Sequence, residues 1–197
     1  MHIADGVLTP VITIAVSTLS LIALIKAIKE LKNEEITLTA VASAMFFIAS
    51  FIHIPFGITQ IHLILLGVIG ILIGWSSFVS IFIALLLQAL LLGYGGVASL
   101  GVNLFIMATP AIIVYYLYNF DLFKKLNDKI KFFLVGFIGT FFATLFLTLI
   151  LYFSKEEYSY AAYTIFSVNI ITMIIEGIVS MFLLLFIKKV YPKILKV

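Results

Sequence analysis

The chain has 197 residues, of which 64% are hydrophobic and only 11% are charged. A water-soluble domain carries about 25% charged residues, so this composition describes a polytopic membrane protein. There is no cysteine, which removes disulfides and thiolate metal centres, and the net charge of +3 is no signal for nucleic acid.

The first ten residues, Met1-His2-Ile3-Ala4-Asp5-Gly6-Val7-Leu8-Thr9-Pro10, precede the first apolar run. Asp5-Gly6 reads as a turn, and Thr9 reads as an N-cap with Pro10 at the first helical position. No Lys or Arg precedes the run, and the run exceeds a signal-peptide core, so an uncleaved start that keeps His2 is expected. Apolar spans are predicted at about 8–28 and 36–52, with the charged loop Lys26 to Glu35 between them. His53 to Gln60 is punctuated by Pro55 and Gly57 and is expected to be a loop. Residues 61–92 are too long for one span, and Gly74-Trp75-Ser76-Ser77 offers a break into helices at about 61–74 and 78–92. A glycine-rich loop, 93–101, precedes a fifth span at about 102–118. A charged loop at 121–131, a sixth span at about 132–153, a polar stretch at 154–160 and a last span at about 161–187 complete the chain before a lysine-rich tail. No polar stretch is long enough to fold separately, so residues 1–197 are expected to form a single transmembrane domain.

All twelve positive residues are lysines. Three lie in the first loop, four at 121–131 and four in the tail, and the positive-inside rule assigns these groups to the cytoplasm. An even number of spans must then separate the first two loops, which requires two helices within 61–92. The expected fold is therefore an all-α integral membrane protein of about seven transmembrane helices, N-terminus outside and C-terminus cytoplasmic. His2, His53 and His62 all fall on the outer side.

That placement gives the amino terminus a chemical meaning. The Met1 amine, the His2 amide nitrogen and one His2 ring nitrogen can chelate one ion through a five-membered and a six-membered ring. Loss of the amide proton requires a strong Lewis acid that accepts nitrogen, such as Ni(II), Co(II) or Cu(II). His62 could supply a fourth nitrogen, with His53 as the alternative ligand; either histidine also fits an interfacial role among headgroups. Glu176 lies mid-span, where a carboxylate is costly and functional by default, and Gln88, Asn103 or Asn169 could pair with it across helices. Gly93, Gly95 and Gly96 lack the Lys-Ser or Lys-Thr of a phosphate loop. They allow close approach of another segment, for which the amino terminus is the natural candidate. Gly70-x-x-x-Gly74 and Ala23-x-x-x-Ala27 are small-residue packing faces. An intramembrane metal-dependent enzyme is the alternative, but no His-Glu-x-x-His pattern occurs; a structural membrane protein is the other.

These residues together resemble the substrate-binding membrane subunit of nickel and cobalt energy-coupling factor transporters. The resemblance rests on Met1-His2-Ile3-x-Asp5-Gly6, then Pro55, Gly57 and His62, then Gln88-Ala89-Leu90-Leu91-x-Gly93-x-Gly95-Gly96, Gly101 and Asn103, and finally Glu176-Gly177. His53 and Asn169 stand where the family pattern carries Asn and His. The resemblance implies an amino terminus inserted among the outer helix ends, with Co(II) or Ni(II) as transported ligand held by Met1, His2 and His62. It also implies a coupling transmembrane subunit, a pair of cytoplasmic ATPases and a small accessory membrane subunit. The chain itself would be no enzyme, since it has no Walker A motif, and would reside in the cytoplasmic membrane of a prokaryote.

Overall fold

The computed structural model describes residues 2–56 and 59–195, with residues 53–56 and 59–62 described for their backbone alone. Helices run α1 (Pro10–Glu30), α2 (Ile36–Ala49), α3 (Leu66–Ile73), α4 (Ser77–Leu92), α5 (Leu100–Tyr118), the single turn α6 (Asp121–Lys124), α7 (Asp128–Ser154) and α8 (Ser159–Val190). Thr9 does occupy the cap position of α1 with Pro10 behind it, but its side chain makes no capping bond. Instead the Thr9 N–H donates to Ser154 Oγ at 3.0 Å, which ties the start of α1 to the end of α7.

Five stretches of the described residues are long and apolar enough to cross a bilayer, one of them Leu66–Leu92. That stretch is nevertheless two helices pointing in opposite directions. Gly70 lies against Ala111 and Gly74 against Tyr115, so α3 runs parallel to α5. Trp75 Nε1 donates to Tyr116 Oη at 2.9 Å, near the end of α5, whereas Gly95, just after α4, lies against Asn103 near its start. The chain therefore reverses at 74–76. Gly74 supplies the turn with φ 52°, and its missing side chain leaves room for the Tyr115 ring.

Two expectations are corrected between α2 and α3. The segment after α2 is not a plain loop: His53–Phe56 and Thr59–His62 form a two-stranded antiparallel hairpin, with His53 opposite His62. The helix expected from residue 61 starts only at Leu66: Leu63, Ile64 and Leu65 are buried but not helical, and Leu65 is left-handed at φ 52°. The α3 that remains is eight residues long, and seven of them are buried.

The bundle has two distinct ends. At one lie residues 2–9, the hairpin, the 93–99 loop and the turn after α7. At the other lie Lys26, the 31–35 turn, the 74–76 reversal, residues 119–131 and the tail. There Lys26 Nζ sits 3.7 Å from the Trp75 ring centroid, Ser76 Oγ donates to Glu35 at 3.2 Å, and Asp128 receives Lys188 Nζ at 2.5 Å. The described lysines of the three groups thus gather at one end, apart from Lys155. The apolar core is built by Phe46, Ile69, Ile81, Leu104, Ile106 and Met107 among others, while α1 and α8 turn rows of Ile, Leu and Phe outward, as lipid-facing helices do.

Candidate metal centre

The amino-terminal segment is held inside the bundle by residues about a hundred positions away. Ile3 is buried, and its N–H donates to Asn103 Oδ1 at 2.8 Å while Asn103 Nδ2 donates to the Ile3 carbonyl at 3.0 Å. The Asn103 amide thereby acts as a one-residue strand partner. It satisfies both backbone groups of a segment that has no helix of its own, in a place where neither could reach water. Leu8 is buried as well and fastens the other end of the segment.

Asp5 adds a second fastening. Its carboxylate accepts from the Ser99 N–H at 2.7 Å and the Ala98 N–H at 3.3 Å. These are orphan donors ahead of α5, whose own cap residue Ser99 makes no side-chain capping bond. An anion supplied from elsewhere in the chain thus occupies the positive end of that helix. Hydrogen bonds from the Ser99 side chain, and then from backbone N–H groups of Ser99, Ala98 and Val97, hold the Asp5 carboxyl below its usual range. Because the folded value is lowered, this fastening contributes above the ordinary aspartate pKa of about 3.9 and is lost as pH falls through the lowered value. Acidification into that window is expected to lower the protection of the Ile3 and Ala4 amides, measured as their exchange rate relative to that of an unstructured peptide at the same pH, and Asp5→Asn is expected to remove that pH-dependent loss of protection.

The glycine-rich loop makes room for this segment. Gly93 ends α4 in a left-handed conformation and faces open space. Gly95 and Gly96 differ: a Cβ on Gly95 would stand 2.6 Å from Asn103 Nδ2 and 3.6 Å from His2 Cβ, and one on Gly96 would meet the Asp5 carboxylate. Their neighbour is the amino-terminal segment itself. Tyr94, between Gly93 and Gly95, stacks on His2 with ring centroids 6.0 Å apart and planes 29° from parallel.

The remaining polar residues divide differently from expectation. Glu176 is fully buried but pairs with none of Gln88, Asn103 or Asn169. Its carboxylate accepts the backbone N–H of Ile64 and, at 3.3 and 3.1 Å, that of Leu65. Asn103 is engaged with Ile3, and Asn169 donates to the Ile165 carbonyl at 2.8 Å within its own helix. The Gln88 side-chain amide is buried without a hydrogen-bond partner among the described residues, while the Gln88 backbone carbonyl accepts the N–H groups of Gly93 and Tyr94.

Of the expected ligands, His2 stands beside the glycine loop, and the hairpin brings the backbones of His53 and His62 opposite one another at the same end of the bundle. Met1 and the side chains of His53 and His62 lie outside the described residues. Among the described residues no group of three or more imidazole or carboxylate side chains is placed to hold an ion. A cavity of about 590 Å³, lined by Glu30, Glu35, Trp75, Tyr115 and Lys193 among others, opens at the opposite, lysine-rich end.

The roles of Asp5 and Ser99 were missed from the sequence. Asp5-Gly6 reads as a turn pair, which accounts for the aspartate without asking what its carboxylate binds. Ser99 falls within the loop expected at 93–101, and a span beginning at about 102 shows no helix end there in need of an anion.

Fold and site together define a polytopic helical membrane protein that threads its own amino terminus into one end of its bundle and fixes it there. The chain belongs to the CbiM family, described as the cobalt uptake substrate-specific transmembrane region, whose profile matches residues 2–194. It is 34% identical over 99% of its length to a putative metal transport protein of Haemophilus influenzae, covering 97% of that relative. It is 33% identical over its full length to the cobalt transport protein CbiM of Clostridium tetani, covering 88% of it. It is also 32% identical over 58% of its length to the fused nickel transport protein NikMN of Rhodobacter capsulatus, of which it spans 35%. A crystal structure described as a transition metal transporter superposes with a TM-score of 0.78 at 27% identity, over 96% of this chain and 93% of that one. A truncated transition metal transporter shares the fold with a TM-score of 0.82 at 24% identity, over 96% and 99%.

Proposed function

We propose that this protein captures Co(II) or Ni(II) for uptake, as the metal-binding membrane subunit of an energy-coupling factor transporter. The Met1 amine, the His2 amide and ring nitrogens and the His62 ring hold the ion, with His53 as the alternative fourth ligand. The observation that carries this reading is the buried double hydrogen bond between Ile3 and Asn103. It fixes the chain one residue beyond His2, so that a two-residue stub is delivered to the end of the bundle where the histidine hairpin also lies. A chelate of adjacent backbone and side-chain nitrogens needs that kind of fixed approach. The family membership and the relatives described as cobalt and nickel transport proteins agree with the ion class. The donor set accepts either ion, with nickel the tighter by the Irving–Williams order.

The lysine-rich end faces the cytoplasm in this reading, by the positive-inside rule, and the metal end faces out. The chain has no nucleotide-binding motif, so ATP hydrolysis falls to a pair of separate cytoplasmic subunits acting through a transmembrane coupling subunit, with a small accessory membrane subunit as a further partner. The ion is released inward when the subunit reorients against that partner.

The test compares metal content and optical spectrum of the purified protein with its native amino terminus and of a version carrying one extra residue before Met1. The extra residue turns the amine into an amide and removes that donor. A stoichiometric ion with a square-planar d–d band, lost in the extended version, is expected. Equal binding in both versions would move the site away from the amino terminus.

A further inference from the structure

We propose that Glu176 is a positioning residue for the metal site: it sets the depth and orientation of the histidine hairpin by holding the backbone two and three residues after His62. The proposal rests on the reading of His62 as a ligand.

The argument starts from α3. This helix begins at Leu66, inside the bundle, after three buried residues that are not helical. The N–H groups ahead of a helix have no partner within it, and no water is at hand in an apolar interior. A Ser, Thr, Asp or Asn at residues 63–65 would be the ordinary local solution, but the sequence there is Leu63-Ile64-Leu65. The partner comes instead from α8, 111 residues away: both Glu176 carboxylate oxygens reach the Leu65 N–H, and one also takes the Ile64 N–H. The carboxylate also stands at the positive end of α3. Leu65 is held at φ 52°, the one left-handed non-glycine residue among the described residues. Such a conformation persists only where its surroundings fix it.

Burying a carboxylate to cap eight residues is an expensive choice when a local cap would serve. What the distant carboxylate adds is location. Residue 64 follows the last residue of the second strand by two positions, so the point where the hairpin enters the bundle is tied to a fixed height on α8. That height is in turn fixed by close packing on α7, where a Cβ on Gly136 would meet the Glu176 carbonyl and the Ser180 side chain. A hairpin fixed in height is what a ring nitrogen needs to complete a plane begun by Met1 and His2.

The experiment is a double-mutant cycle on Ni(II) affinity and d–d spectrum, using the full-length protein with its native amino terminus. The variants are Glu176→Gln, His62→Ala and the two combined. Glu176→Gln is expected to weaken binding by about 10- to 100-fold, as loss of an orienting group does, and to shift the band to that of His62→Ala. The double variant is expected to bind no more weakly than His62→Ala alone. Glu176→Asp, which keeps the charge and shortens the reach, is taken through the same cycle and carries the test if the glutamine variant does not fold. Additive losses in the cycle would overturn the proposal, since a merely structural carboxylate acts on all ligands alike. Unchanged affinity in both Glu176 variants would also overturn it, leaving the ligand reading standing. Unchanged affinity in His62→Ala would remove the ligand reading, and this proposal with it.

Discussion

Asn103→Leu is expected to leave the helical bundle folded and to lower metal affinity by about 100-fold, the upper range for loss of a group that orients metal ligands. Leucine matches asparagine closely in shape but can neither donate nor accept. The Ile3 N–H and carbonyl would then be buried without partners, at a cost of roughly 1–3 kcal/mol each. That cost can be escaped by lifting the segment out of the bundle, because the segment belongs to no helix. Asp5 would still hold Ala98 and Ser99, so the release should be confined to residues before it. Calorimetric titration with Ni(II), alongside amide exchange at Ile3, reads both consequences. Unchanged affinity with fast exchange at Ile3 would show that the chelate does not depend on the anchored segment.

Gly67→Val and Gly70→Val are expected to have the largest effect on the fold itself. A Cβ on Gly67 would run into the Val135 carbonyl oxygen, and one on Gly70 into that of Ala111. Both obstacles are backbone, so helices must separate; no side chain can swing away. Overpacking of this kind costs about 3 kcal/mol or more, a large share of the roughly 5–15 kcal/mol that holds a domain together. Each variant should unfold at a clearly lower temperature in detergent than the parent protein. An unshifted transition for Gly70→Val would contradict the close contact of α3 with α5.

The course of the chain was legible wherever charge or glycine interrupts the apolar runs. The lysine groups required two helices within 61–92, and Gly74 marked the reversal between them. The glycines at 95 and 96 announced a close neighbour. Between 53 and 65 the sequence was less informative. Pro55 and Gly57 suggest a loop, yet the flanking residues pair as strands, which depends on the register of a hairpin and on no local pattern. The late start of α3 left no trace either, because an apolar run buried on all sides has no period from which a helix boundary could be read. Glu176 was recognisable as important from its depth alone, but its partner was not. Sequence comparison looks for side chains that match, and this carboxylate binds backbone.

The length of α8 gives Glu176 one more meaning. At 32 residues the helix is about 48 Å long, well over the roughly 30 Å of a bilayer's hydrocarbon layer, so it must lean or protrude, and the lean will follow the thickness of the surrounding lipid. Glu176 stands close to the midpoint of that helix. A rod that pivots about its middle sweeps its two ends widely and barely moves its fulcrum. The backbone at Ile64 and Leu65, from which the hairpin is suspended, is attached at the fulcrum, and the hairpin is thereby insulated from the membrane in which the protein happens to sit.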